Sequence, residues 1–122
     1  MASASAVHIE TRVQGAVATV ILSGRLTAND NPGMLKDSVT DVIARGATQV
    51  ILDLSGVNYI DSTRLGELIA AHITVSRIGS HIKLAGTPPR VVELLTLAGL
   101  GDVFERFPSV EAAVASVNTA GR

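Results

Sequence analysis

Asp61-Ser62-Thr63 sets a carboxylate and two hydroxyls on consecutive residues, directly after an apolar run and directly before a stretch with helical periodicity. A helix start leaves backbone N–H groups without partners and presents the positive end of the helix dipole, so a phosphoryl group on either hydroxyl would be well accommodated there. The same residues also have a purely structural reading, in which Asp61 caps the helix and the hydroxyls satisfy the orphan donors. Local chemistry leaves both readings open. Other chemistry is poorly supplied. His8, His72 and His81 are far apart and lack ligand spacing, and the absence of cysteine removes disulfides, thiolate metal sites and a Cys nucleophile. No Gly-x-Ser-x-Gly elbow, Gly-rich phosphate loop or Ser/His/Asp constellation occurs. A metal-assisted acceptor built on Asp53 would want an acidic pair after the first strand, and the stretch from Val13 to Arg25 has no acidic residue. No enzyme, no cofactor and no metal are therefore expected from these residues.

The elements that must position Asp61 to Thr63 follow from periodicity. Val7, Ile9, Thr11 and Val13 alternate with polar neighbours, and Gln14-Gly15 turns the chain into Ala16–Ser23, predicting an antiparallel hairpin. Asn31-Pro32 supplies an N-cap and a first-turn proline for a helix carrying Leu35, Val39, Val42 and Ile43, which Gly46 stops. Gln49–Leu54 is a short apolar run suited to a central strand, followed by a short polar loop carrying Asn58. A long helix then runs from about Ser62 to Ile78, its inward face formed by Leu65, Leu68, Ile69, His72 and Ile73. After Gly79, His81–Ala85 completes a βαβ unit with parallel strands. Thr87-Pro88 starts a further helix containing Val91, Leu94 and Leu95; Val103–Phe107 is an edge strand or extended loop; Ser109 caps a last helix. The expectation is one α/β domain: a mixed four- to five-stranded sheet with an N-terminal antiparallel hairpin, parallel βαβ strands and about four helices.

At 122 residues the chain suffices to bury ~65–70% of its unfolded surface in one domain. The core is aliphatic, since Tyr59, Phe104 and Phe107 are the only aromatic residues. With a net charge of −1 and no basic stripe, nucleic-acid binding is not expected. Met1–Ala6 has neither the basic nor the apolar region of a signal peptide, and no apolar run approaches the ~20 residues of a membrane span. The expected setting is the cytoplasm, without membrane insertion, as a monomer or weak dimer.

The stretch Leu-Asp-Leu-Ser-Gly-Val-Asn-Tyr-Ile-Asp-Ser-Thr-Arg-Leu-Gly-Glu-Leu, from Leu52 to Leu68, closely resembles the central motif of STAS domains, and within them that of the bacterial anti-sigma factor antagonists. Ser23-Gly24-Arg25-Leu26 is similar to the Gly-x-Leu that ends the second strand in that family. His81–Gly86 resembles its fourth strand, and Leu94–Leu100 with Val103-Phe104 resembles its leucine-rich helix, Gly-Leu and Phe. The resemblance spans Val7 to Val117 in order. It implies a STAS fold over residues 7–118, with 1–6 a disordered N-terminus and 119–122 a C-terminal tail.

The resemblance also implies a function: binding an anti-sigma factor that is a serine/threonine kinase of the histidine-kinase-like ATPase type, releasing a sigma factor, and being switched off by phosphorylation. Carried over by position, the acceptor is Thr63, with Ser62 as the alternative. The implied docking surface comprises Asn58, Tyr59, Asp61, Ser62, Thr63 and Arg64, with Arg25, Thr27 and Asn29 beside them. Two positions depart from the family pattern: Arg64, where Gly is usual, and Thr27, where an acidic residue is common. Arg64 is open to four readings: a solvated surface cation, a partner for phosphothreonine, an obstruction to the kinase, or a direct contact to an acidic partner. The alternative function is a constitutive, unphosphorylated STAS subunit of a lipid-transport ATPase complex or a stress-signalling assembly.

Overall fold

The computed structural model describes residues 8–27 and 33–120, with side chains to Val117. Strand β1 (His8–Gln14) pairs antiparallel with β2 (Val17–Leu26). The two-residue connection puts Gly15 at φ 61°, the left-handed geometry that tight hairpin turns demand at their first central position. Helix α1 (Met34–Ala44), strand β3 (Gln49–Ile60), helix α2 (Ser62–Ser76), strand β4 (His81–Ala85), helix α3 (Pro89–Leu97), strand β5 (Glu105–Phe107) and helix α4 (Val110–Ala120) follow. The sheet order is β1-β2-β3-β4-β5, and every pair after the first is parallel. The α/β class, the hairpin and the βαβ units are as expected. Residues 1–6, Asn29 and the expected cap Asn31-Pro32 lie outside the described residues.

Strand alternation divides the molecule. Ala18, Val20 and Leu22 of β2, Val50, Leu52 and Leu54 of β3, and Ile82 and Leu84 of β4 point to one face. There they meet Leu35, Val39 and Val42 of α1, Leu65, Leu68, Ala71 and Val75 of α2, and Val91 and Leu95 of α3. The opposite face is thinly covered: Ile51 and Ala85 pack on Ala113 of α4, with Val17, Phe107, Val110 and Val114 around them. Edge strand β5 is short but well held. Lys83 pairs with Glu105 across the register at 2.5 Å and lies 5.4 Å from the centre of the Phe107 ring.

Several boundaries differ from expectation, each for a visible reason. The polar stretch after Leu54 is not a loop: β3 continues to Ile60, following β2 through two register shifts. Gly56 permits this, because a Cβ there would stand 2.8 Å from the Cβ of Ser23. Helix α2 ends at Ser76, two residues early, and Ile73 is 46% exposed instead of inward. Its buried residues are Arg64, Leu65, Leu68, Ala71 and Val75, a stripe rotated from the expected one. His72 sits at the core boundary, edge-on to Phe104 with ring centres 5.0 Å apart. Helix α3 starts one residue late, with Pro88 in the cap position and Pro89 first in the helix. Ser109 caps α4 as expected, its hydroxyl accepting from the Ala112 N–H at 3.1 Å. That helix runs to Ala120, into the first two residues of the expected tail.

Candidate functional site

The extension of β3 decides where Asp61 lies. Beyond the body of the sheet, Val57, Tyr59 and Ile60 pair with Gly24, Arg25 and Leu26, and the Asp61 N–H donates to the Leu26 carbonyl at 3.0 Å. Val57 and Ile60 are buried, so this projecting ribbon is anchored by its apolar side. Asp61 is extended (φ −96°, ψ 174°), and its carboxylate accepts from the Arg64 N–H at 2.9 Å, which makes it the N-cap of α2. Ser62 and Thr63 follow in the first turn, and both are exposed. The capping part of the structural reading is realised on the carboxylate, and the two hydroxyl residues stand exposed beside it.

Arg64 is corrected outright. The sequence placed it on the docking surface, yet it is 1% exposed, so it is neither a solvated cation nor a contact for a partner. Its Nε–H donates to the Thr27 carbonyl at 2.9 Å, and its Nη1 donates to Glu67 Oε1 at 2.6 Å. The Glu67 side chain is itself only 10% exposed, and its Oε2 accepts from the Lys36 N–H of α1 at 2.9 Å. One charge pair therefore joins the end of β2 and the first turns of α1 and α2. The signal was present in the sequence. Position 64 shares a helix face with 68, 71 and 75, and Glu67 waits at i+3.

Of the remaining expected residues, Arg25 and Tyr59 are brought together. They are register partners, and the guanidinium lies 4.5 Å from the ring centre. Arg25 and Asn58 are exposed and Tyr59 is half-buried. Thr27 is half-buried and contributes its backbone carbonyl to Arg64. Two residues that the sequence reading missed extend the outward face of α2. Gly66 is exposed, and a Cβ on it would meet nothing within 4 Å; Ile73 is the other. Within Ser62–Ser76 the only Asp, Glu, Lys or Arg residues are Arg64 and Glu67. Since these are committed to each other, the outward face of α2 carries no formal charge from such residues.

The STAS domain family model matches residues 8–113. The chain belongs to the STAS family. Several solved structures share its architecture at low sequence identity. An anti-sigma factor antagonist from Mycobacterium paratuberculosis superposes with a TM-score of 0.82 at 19% identity, covering 97% of this chain and 99% of that one. The Bacillus cell fate determinant SpoIIAA, in its phosphorylated form, gives 0.69 at 18% identity over 92% and 99% of the two chains. A sulfate transporter family protein from Wolinella succinogenes gives 0.73 at 20% identity over 88% and 89%. No curated protein sequence matches significantly. Among the described residues of this STAS domain, no helix is long and apolar enough to cross a membrane.

Proposed function

We propose that this STAS domain is an anti-sigma factor antagonist. In its unmodified form it binds an anti-sigma factor that is a serine/threonine kinase of the histidine-kinase-like ATPase type, and so frees a sigma factor. Phosphorylation of Thr63, with Ser62 the alternative acceptor, ends the interaction. The observation that carries this reading is the division of labour at the start of α2, where Asp61 does the capping and leaves two exposed hydroxyls at a positive helix end. A phosphoryl group there adds about 1.5 to 2 negative charges without displacing any packed side chain. The fold is retained, and a partner docked on this uncharged face meets a charge it must desolvate.

The docking surface on this reading is Asn58, Tyr59, Arg25 and the outward residues of α2: Ser62, Thr63, Gly66 and Ile73. Gly66 supports it independently. Glycine within a helix costs about 1 kcal/mol relative to alanine, and no neighbour among the described residues needs the missing Cβ. Close approach by a partner backbone would account for it.

Incubation with the cognate kinase and ATP, followed by intact-mass and fragment analysis, tests the proposal. One phosphoryl group on Thr63 is expected, and none on the Thr63→Ala chain beyond any at Ser62. No mass gain in the wild type, with partner binding insensitive to Thr63→Asp, would remove the switch. A second reading, a standing subunit of a transport complex, draws on the likeness to the sulfate transporter family protein. Co-purification with a transporter that is indifferent to ATP and to Thr63→Asp would favour it.

A further inference from the structure

The Arg64–Glu67 pair begins one residue after the proposed acceptor, and its geometry says what each charge is for. The Arg64 side chain is only 1% exposed. Its Nε–H and Nη1 are spent on Thr27 and Glu67, and the second oxygen of Glu67 holds the Lys36 N–H. A buried guanidinium released from such partners would leave a carboxylate and a carbonyl unpaired, which is strongly disfavoured. Thr63, by contrast, is exposed, and successive residues of a helix point about 100° apart. Arg64 is therefore bound inward while a group on Thr63 extends outward.

We propose that Arg64 is a positioning residue: it clamps the acceptor turn of α2 to the end of β2 and, through Glu67, to the first turn of α1, and is thereby withheld from any phosphoryl group on Thr63. This rests on the reading of Thr63 as the acceptor. The clamp keeps the acceptor turn and the Arg25–Tyr59 ribbon in one fixed relation whether or not the hydroxyl is modified. It also keeps Arg64 from serving as a counter-ion to an added phosphoryl, so that this guanidinium does not offset the charge presented to the partner. Arginine at a position where an exposed cation would quench the switch is thus compatible with it.

The test installs phosphothreonine at position 63 of the full chain by chemical ligation, so that it needs neither kinase nor partner. The 31P resonance is then titrated against pH in two backgrounds: the wild type, and the Arg64→Met/Glu67→Met chain, in which the buried pair becomes an apolar one of similar volume. Both should show the same second-ionisation midpoint, since helix-end effects are common to both. A midpoint lower by a unit or more in the wild type alone would show that Arg64 has turned to the phosphoryl group, and would overturn the proposal.

Amide exchange supplies the clamp's own readout. The Lys36 N–H should exchange at least about tenfold faster in the double variant, from loss of a bond to a charged acceptor, while central β3 amides are unchanged. Equal Lys36 exchange in the two chains would dismiss the clamp. Should the double variant not fold, the Arg64 Nε–H resonance of the wild type decides: it keeps its position and slow exchange on phosphorylation, or the proposal fails. Failure of kinase or partner experiments touches only the functional reading and leaves these outcomes intact.

Discussion

Two helices of this STAS domain begin just after parallel strands of one sheet, and they begin in opposite ways. Helix α2 follows β3 with a capping carboxylate, two outward hydroxyls and a buried ion pair one turn in. Helix α3 follows β4 with Pro88 and Pro89 and no side-chain cap. Prolines carry no N–H, so that start has fewer donors to satisfy. Its neighbouring hydroxyl, Thr87 Oγ1, is buried without a hydrogen-bond partner among the described residues, beside a cavity of about 390 Å³ lined also by Ser55, Arg106 and Phe107. On the proposed reading, Ser62 and Thr63 qualify as acceptors because Asp61 does the capping and both residues are exposed, whereas the Thr87 hydroxyl is buried.

The contrast can be broken most forcefully at Arg64. Arg64→Met strands Glu67, and urea denaturation should show a loss of about 3–5 kcal/mol, whereas Arg64→Met/Glu67→Met should recover most of it. Next in size are the two starts themselves. Asp61→Ala should cost about 1 kcal/mol by the same measurement. Thr87→Val should be neutral or stabilising by up to about 1 kcal/mol, because it removes a buried hydroxyl that has no partner among the described residues. Equal losses for both would erase the distinction drawn here. Gly66→Ala should raise stability by about 1 kcal/mol while weakening partner binding; a gain in both would remove Gly66 from the docking face. The smallest effect on the fold is expected from Thr63→Glu, a stabilisation of about 0.3–1 kcal/mol from the helix dipole, coupled with loss of partner binding in titration calorimetry.

Most of the architecture was legible because strand alternation and helix punctuation agree over most of the chain. Gln49–Leu54, Gly79 and Ser109 each mark an element by one clear physical cue. Where the reading failed, local chemistry was overridden by a distant neighbour. The polar stretch after Leu54 reads as a loop, but β2 supplies an edge for β3 to follow, and Gly56 fits against Ser23. Arg64 reads as surface because an arginine is seldom buried. Its burial rests on Glu67, on the Thr27 carbonyl and, through Glu67, on the Lys36 amide, and the backbone groups among these have no identity in the sequence. Ile73 was assigned inward by a stripe rotated from the true one, which the buried position of Arg64 would have corrected. At the candidate site, the capping role of Asp61 was readable, and so was the pairing of a carboxylate with two hydroxyls. The uncharged outward face of α2 was not, because it depends on knowing that both its ionic residues turn inward.

The affinity of the proposed anti-sigma kinase partner for the STAS domain, measured before and after a single phosphoryl group is placed on Thr63 and with amide exchange recorded on both forms, is the most direct test. Binding should be lost while protection across β3, α2 and the Lys36 amide is unchanged. Retained affinity, or lost affinity accompanied by unfolding of the α2 start, would contradict the proposed switch.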